Sequence, residues 1–234
     1  MEPQLPILFV PGLAGSPRMY AEQMPALWRF GPVMVGAHSW DDSLGGIARR
    51  ILANAPARFA LIGLSMGGYI AFEIARQAPQ RIARLALLDT SARPDTPEQS
   101  ESRRAQIAEA RAGRLDEVSD ALFPRLVHPS RREDADLRAL LRQMAREVGA
   151  EGFIRQQTAI MHRPDSRPTL ALVRCPTLVL VGADDQLTPP ERAAEIASGI
   201  AGSRQVVVPE CGHLSSIEQP QAVTDALVQL LEGV

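Results

Sequence analysis

Ser65 lies in Gly63-Leu64-Ser65-Met66-Gly67-Gly68, directly after the apolar run Phe59 to Ile62 and at the start of a helical pattern, Met66 to Gln77. A serine on a sharp strand-to-helix turn needs small residues two positions away on each side, and glycine stands at both. Such a turn exposes the hydroxyl at the positive end of a helix, where a developing anion is favoured. A serine hydroxyl is a weak nucleophile near neutral pH and requires a base. Of the four histidines, His213 is the leading candidate, in the loop Pro209-Glu210-Cys211-Gly212-His213 after the run Gln205 to Val208. His38, in a loop after another strand-like run, is the rival base. His128 and His162 fall in a helical stretch and are expected to be surface or packing residues. The base in turn needs a carboxylate to fix its tautomer and stabilise the imidazolium. Asp184 and Asp185 follow the run Thr177 to Val181, and Asp89 follows Leu85 to Leu88. On residue type and placement alone, any of the three can serve. The chemistry implied is acyl transfer, which asks for no cofactor and no metal.

These residues require a scaffold that brings distant loops to one edge. Short apolar runs at Ile7 to Val10, Val33 to Val35, Phe59 to Ile62, Leu85 to Leu88, Thr177 to Val181 and Gln205 to Val208 predict strands buried on both faces. Helical patterns near Ser43 to Leu52, Met66 to Gln77, Pro190 to Ser198 and Pro220 to Leu231 alternate with them. That order predicts an α/β fold with a parallel sheet flanked by helices. From about Arg93 to Pro168 no strand-like run occurs. Thr96-Pro97-Glu98-Gln99 predicts a capping box with proline at the first helical position. A second helix carries Leu115, Val118 and Leu122 and is expected to stop before Pro124. Ser130-Arg131-Arg132-Glu133 is expected to cap a third, and Phe153 to Met161 can form a fourth. A helical lid over residues 93–168, inserted between core segments 1–92 and 169–234, is the expected organisation, since such sheets bind ligands at the carboxyl ends of their strands.

Composition removes other classes. All 25 basic residues are arginine, so a Schiff-base lysine, pyridoxal-phosphate chemistry and a P-loop are excluded. The formal net charge of −2 gives no reason to expect nucleic acid or an anionic membrane as partner. Cys175 and Cys211 have no metal-ligand spacing. The opening Met1-Glu2-Pro3-Gln4 lacks the basic flank and apolar run of a signal peptide. No apolar stretch approaches the ~20 residues needed to cross a bilayer. A cytoplasmic enzyme with free thiols, acting on a small-molecule acyl substrate, is the expectation.

Taken together, these motifs resemble the α/β-hydrolase family. Members commonly carry G-x-x-D-x-x-x-P after the penultimate strand and Gly-His before the last helix. Gly182, Asp185 and Pro189 match the first pattern, and Gly212-His213 the second. The resemblance therefore implies the triad Ser65, Asp185 and His213, and favours Asp185 over Asp184. It implies an oxyanion hole made by the backbone N–H groups of Leu13 and Met66. Where relatives often have His-Gly, this chain has Pro11-Gly12. A longer segment of the family is replaced here by Val35-Gly36-Ala37-His38-Ser39-Trp40-Asp41, so a trimmed sheet of about six strands is expected, with His38 and Trp40 as candidate pocket residues. The implied reaction is hydrolysis of a carboxylic ester, lactone or thioester. Thr90-Ser91-Ala92, with the serine motif, resembles enol-lactone hydrolases. Carbon–carbon bond hydrolases, lyases, acyltransferases and cofactor-free peroxidases use the same frame. A receptor or scaffold without catalysis is the alternative of a different class.

Overall fold

Aliphatic runs without polar alternation form the strands of one sheet in a computed structural model, which describes residues 4–233. The reading of Met1 to Pro3 lies outside the described residues. The elements run β1 (Ile7–Val10), α1 (Gln23–Leu27), β2 (Val33–Val35), α2 (Leu44–Asn54), β3 (Phe59–Leu64), α3 (Met66–Gln77) and β4 (Ile82–Leu88). Then come the helices α4 (Pro97–Arg111), α5 (Leu115–Leu126), α6 (Ala135–Met161) and α7 (Arg167–Leu170). The sheet resumes with β5 (Thr177–Gly182), α8 (Pro190–Gly199), β6 (Arg204–Val208), α9 (Ser215–Glu218) and α10 (Pro220–Glu232). All pairings are parallel, in the order β2-β1-β3-β4-β5-β6. This is the expected six-stranded parallel sheet flanked by helices.

Successive side chains of a strand point to opposite faces, so each central strand feeds two cores. Leu8, Leu61, Leu85 and Val179 pack with α2, α3 and α8 residues such as Ile47, Phe72 and Ile196. Phe9, Ile62, Leu88 and Leu180 pack on the other face with Leu27 of α1 and Leu227 of α10. The edge strands differ from the expectation of burial on both faces. β2 is half-buried throughout, and Val207 of β6 is 46% exposed. Each has a neighbouring strand on one side only, which leaves the other side to solvent.

The helices between β4 and β5 follow the sequence reading at their start and depart from it further on. Thr96 and Gln99 form the reciprocal capping box of α4. Helix α5 does not stop before Pro124 but continues to Leu126. Proline removes one helical hydrogen bond without forbidding a final turn, and that turn is held in place because the Leu126 carbonyl accepts from the His213 N–H at 2.8 Å. The cap of α6 is Asp134, which accepts from the Leu137 N–H at 2.9 Å, and Ser130 belongs to a 3-10 turn before it. Phe153 to Met161 is the second half of α6, separated from the first by a kink at Gly149 (φ 75°, ψ 162°). No helix among the described residues is long and apolar enough to cross a membrane.

Candidate active site

Strand β3 delivers Ser65 to the carboxyl edge of the sheet, and α3 begins at the next residue. Ser65 has φ 54° and ψ −113°, a conformation that costs a non-glycine residue about 1–3 kcal/mol and persists only when its surroundings enforce it. They do so through the Ser65 N–H, which donates to the Leu88 carbonyl at 2.9 Å, and the Ser65 carbonyl, which accepts from the Thr90 hydroxyl at 2.8 Å. The flanking glycines are a matter of space. A Cβ on Gly63 would lie 2.4 Å from the Gly67 carbonyl oxygen, and one on Gly67 would lie 1.9 Å from that of Val10.

The loop after β6 brings His213 to this turn. His213 Nε2 lies 2.9 Å from Ser65 Oγ, and His213 Nδ1 lies 2.7 Å from Asp185 Oδ2. Asp185 comes from the loop after β5. Its Oδ1 accepts from the Leu187 and Thr188 N–H groups at 2.8 and 3.0 Å, and its Oδ2 accepts from the Thr188 hydroxyl at 2.8 Å. Burial opposes the charge on Asp185, but His213 and these donors outweigh it and hold the carboxyl below its ordinary range. Burial also opposes a charged His213, yet the facing Asp185 carboxylate prevails and raises the imidazole above its ordinary 6.5. An imidazole whose charged form is favoured by a facing carboxylate is a stronger proton acceptor than a free one.

The other candidates take different places. Asp184 points away, toward His128 at 3.6 Å. Asp89 is fully buried and serves as a brace: Oδ1 accepts from the Gly182 N–H at 3.0 Å, and Oδ2 from the Ser215 N–H and hydroxyl at 3.1 and 2.5 Å. Burial, helped by the nearby Asp185 charge, raises its carboxyl to about 7. His162 is exposed and bonds the Thr158 carbonyl within its own helix. The expectation that His38 and Trp40 line the pocket is corrected. Trp40 is 67% exposed on the surface, and His38 is buried beneath the loop after β1, its Nε2 3.1 Å from the Gly12 carbonyl oxygen. Neither lines the cavity beside Ser65.

That histidine supplies support to the loop carrying Leu13, where Pro11 stands in place of the expected histidine. On the other side of Leu13, the Ala14 N–H donates to Gln156 Oε1 of α6 at 2.9 Å. The Leu13 and Met66 N–H groups donate to no other described residue, so both remain available to a bound oxyanion. Sequence reasoning missed Gln156, and also Glu218, whose Oε1 accepts from the Gly212 N–H at 2.9 Å and whose Oε2 accepts from the His128 N–H at 2.6 Å. No local motif announces either, because their partners are backbone groups 142 and up to 90 residues away.

A cavity of about 530 Å³ opens beside Ser65 and His213. Leu122, Leu141, Met144, Phe153 and Ile160, all from α5 and α6, form part of its apolar wall. The arrangement can attack an acyl carbonyl, move a proton through one imidazole and stabilise an oxyanion, and it is roomy enough for a small molecule.

A family model described as the alpha/beta hydrolase fold matches residues 49–220. Among solved structures, the malate-bound form of a thermophilic esterase from Thermogutta terrifontis is 34% identical, with a TM-score of 0.89 over 98% of this chain and 90% of its own. The enol-lactonase from Burkholderia xenovorans LB400 is 27% identical, with a TM-score of 0.85 over 98% of this chain and 92% of its own. Among curated proteins, "Putative non-heme bromoperoxidase BpoC" of Mycobacterium tuberculosis is 26% identical over 98% of this chain and 94% of its own length.

Proposed function

The chain belongs to the alpha/beta hydrolase family, and on that premise we propose that it is a serine hydrolase cleaving a carboxylic ester or lactone of a small molecule through an acyl-enzyme on Ser65. The observation that carries the reading is the unbroken chain from Ser65 Oγ to His213 at 2.9 Å and from His213 to Asp185 at 2.7 Å. In this mechanism His213 Nε2 takes the Ser65 proton as Oγ adds to the acyl carbonyl. The Leu13 and Met66 N–H groups hold the oxyanion, and donors of this kind supply roughly 3–4 kcal/mol each. His213 then passes the proton to the departing alcohol, and the acyl group stays on Ser65. Water, deprotonated by His213, releases the acid and restores the serine. Asp185 keeps Nδ1 protonated throughout, so that Nε2 can accept.

Helices α4 to α6 act as a lid in this reading, because their side chains roof the cavity over Ser65. The carboxylesterase reading draws support from the esterase and enol-lactonase neighbours. Similarity to the protein named as a bromoperoxidase favours a second reading, in which hydrogen peroxide replaces water in attack on the acyl-enzyme and yields a peracid. Two unpaired thiols, Cys175 and Cys211, suit a reducing compartment such as the cytoplasm.

Hydrolysis of p-nitrophenyl esters tests the proposal. The wild-type protein should turn them over, and Ser65→Ala should lose about 10⁴-fold or more in kcat while keeping its fold, as serine triads do. Equal turnover by Ser65→Ala would contradict it, and a complete lack of turnover across esters, lactones and thioesters would favour a receptor or scaffold.

A further inference from the structure

The cavity beside Ser65 carries a charge imbalance that ester hydrolysis by itself does not require. Five arginines line it, Arg93, Arg103, Arg125, Arg163 and Arg192, against a single acid, Glu98. Arg93 is neutralised from behind by Glu195, with Nε and Nη2 at 2.9 and 2.8 Å from its two oxygens. Arg103 and Arg163 share one carboxylate: Arg103 Nε lies 2.7 Å from Asp95 Oδ2, and Arg163 Nη1 pairs with Oδ1. Asp95 is 1% exposed at its side chain and Arg163 5%, so two guanidiniums lean on one buried anion. Neither Arg125 nor Arg192 forms an ion pair among the described residues, and Glu195, three residues along α8, feels the Arg192 charge without bonding it. These five guanidiniums outnumber Glu98, Asp95 and Glu195 by two, and with the ionised Asp185 behind Thr188 and His213 counted as well the lining keeps one net positive charge.

The two unpaired arginines stand on the segments that hold the candidate base and acid. Arg125 precedes Leu126, whose carbonyl accepts from the His213 N–H at 2.8 Å. Arg192 lies in the first turn of α8, four residues after Thr188, the residue bonded to Asp185. The positive end of that helix adds to the field in which Arg192 sits. Apolar side chains of α5 and α6 cover another part of the same cavity. A ligand that fits this wall has a hydrocarbon part and an anion.

We propose that the substrate is a small ester or lactone whose acyl part carries a second, ionised carboxylate, received by Arg192 and Arg125. This rests on the hydrolase reading of Ser65 given above. A guanidinium presents parallel N–H donors that match the two oxygens of a carboxylate, and such charge-assisted bonds are about twice as strong as neutral ones. Arg192, half-buried, contributes more than the exposed Arg125, whose field water screens.

Monomethyl adipate and methyl hexanoate differ only in carrying a carboxylate or a methyl group at the far end of the acyl chain. Their hydrolysis, followed by pH-stat, should show kcat/KM about tenfold or more higher for the adipate at low salt. That ratio should shrink in 0.5 M sodium chloride, as screening of the partly exposed arginines requires. It should fall severalfold in Arg192→Gln and to near unity in Arg125→Gln/Arg192→Gln, with Arg192→Lys intermediate because it keeps charge without the fork. Equal kcat/KM for the two esters in the wild-type protein, or an unchanged preference in the double variant, would overturn the inference while leaving the hydrolase reading intact. Failure to hydrolyse either ester, with Ser65 inert to other acyl donors as well, would overturn both.

Discussion

Asp184 and Asp185 are adjacent in sequence, yet only one faces His213. A single peptide unit turns the next side chain elsewhere, so Asp185 lies 2.7 Å from Nδ1 while Asp184 is directed at His128. Asparagine at the true position keeps the shape but favours the wrong imidazole tautomer, which costs about 10⁴-fold in a serine protease with the same triad. Asp185→Asn should lose several orders of magnitude in kcat, and Asp184→Asn less than about tenfold. The reverse ranking would move the acid to Asp184. The pH profile tests the same pair. Because Asp185 raises the His213 pKa above 6.5, and only the neutral imidazole accepts a proton, kcat/KM should rise with pH through an apparent value above 6.5. A flat profile from pH 5 to 8 would contradict His213 as base. Glycine spacing and turn chemistry made Ser65 and His213 legible in the sequence, but the choice between the aspartates came only from a family pattern. The contacts of Glu218 and Gln156 were not legible, because a backbone partner leaves no signature in residue type.

At the scale of elements, the central strands were legible because burial on two faces demands unbroken apolar runs, and the helical pattern from Met66 to Gln77 coincides with α3. The inserted helices were less legible. Tertiary contacts override local punctuation there, as when α5 continues past Pro124 to meet His213. Two glycines separate the physical reasons for element shape. Gly149 has φ 75° and ψ 162°, a region open essentially to glycine, and an added Cβ would meet nothing within 4 Å, so Gly149→Ala should cost about 1–3 kcal/mol through the backbone alone. Gly67 has ordinary helical placement, but a Cβ there would strike the Val10 carbonyl at 1.9 Å. Gly67→Ala should therefore lose at least about 3 kcal/mol or fail to fold, since β1 and α3 must separate. Urea unfolding of the two variants checks the order, and a Gly149→Ala protein less stable than Gly67→Ala would contradict it.

For the molecule as a whole, the sheet is what gathers the chemistry: Ser65 and His213 are 148 residues apart and meet because β3 and β6 end at the same edge. The buried His38 links the support of this edge to global stability. Burial lowers its pKa to about 4, against the opposing effect of the Gly12 carbonyl, whereas the unfolded chain titrates near 6.5. Between those values the unfolded state binds more protons, so His38's contribution is intact above pH 6.5 and is lost as pH falls toward 4. The unfolding free energy of the wild-type protein should drop by about 2–3 kcal/mol more between pH 7 and 4.5 than that of His38→Gln. Equal drops would show that His38 is not held neutral. The central claim, a covalent acyl-enzyme on Ser65, is tested most directly by intact-mass and peptide mapping after reaction with a fluorophosphonate. Wild-type protein should gain one adduct, on the peptide containing Ser65, while Ser65→Ala gains none and His213→Ala reacts far more slowly. An adduct on a different residue, or an unmodified Ser65 in protein whose ester hydrolysis has been abolished by the reagent, would contradict the account.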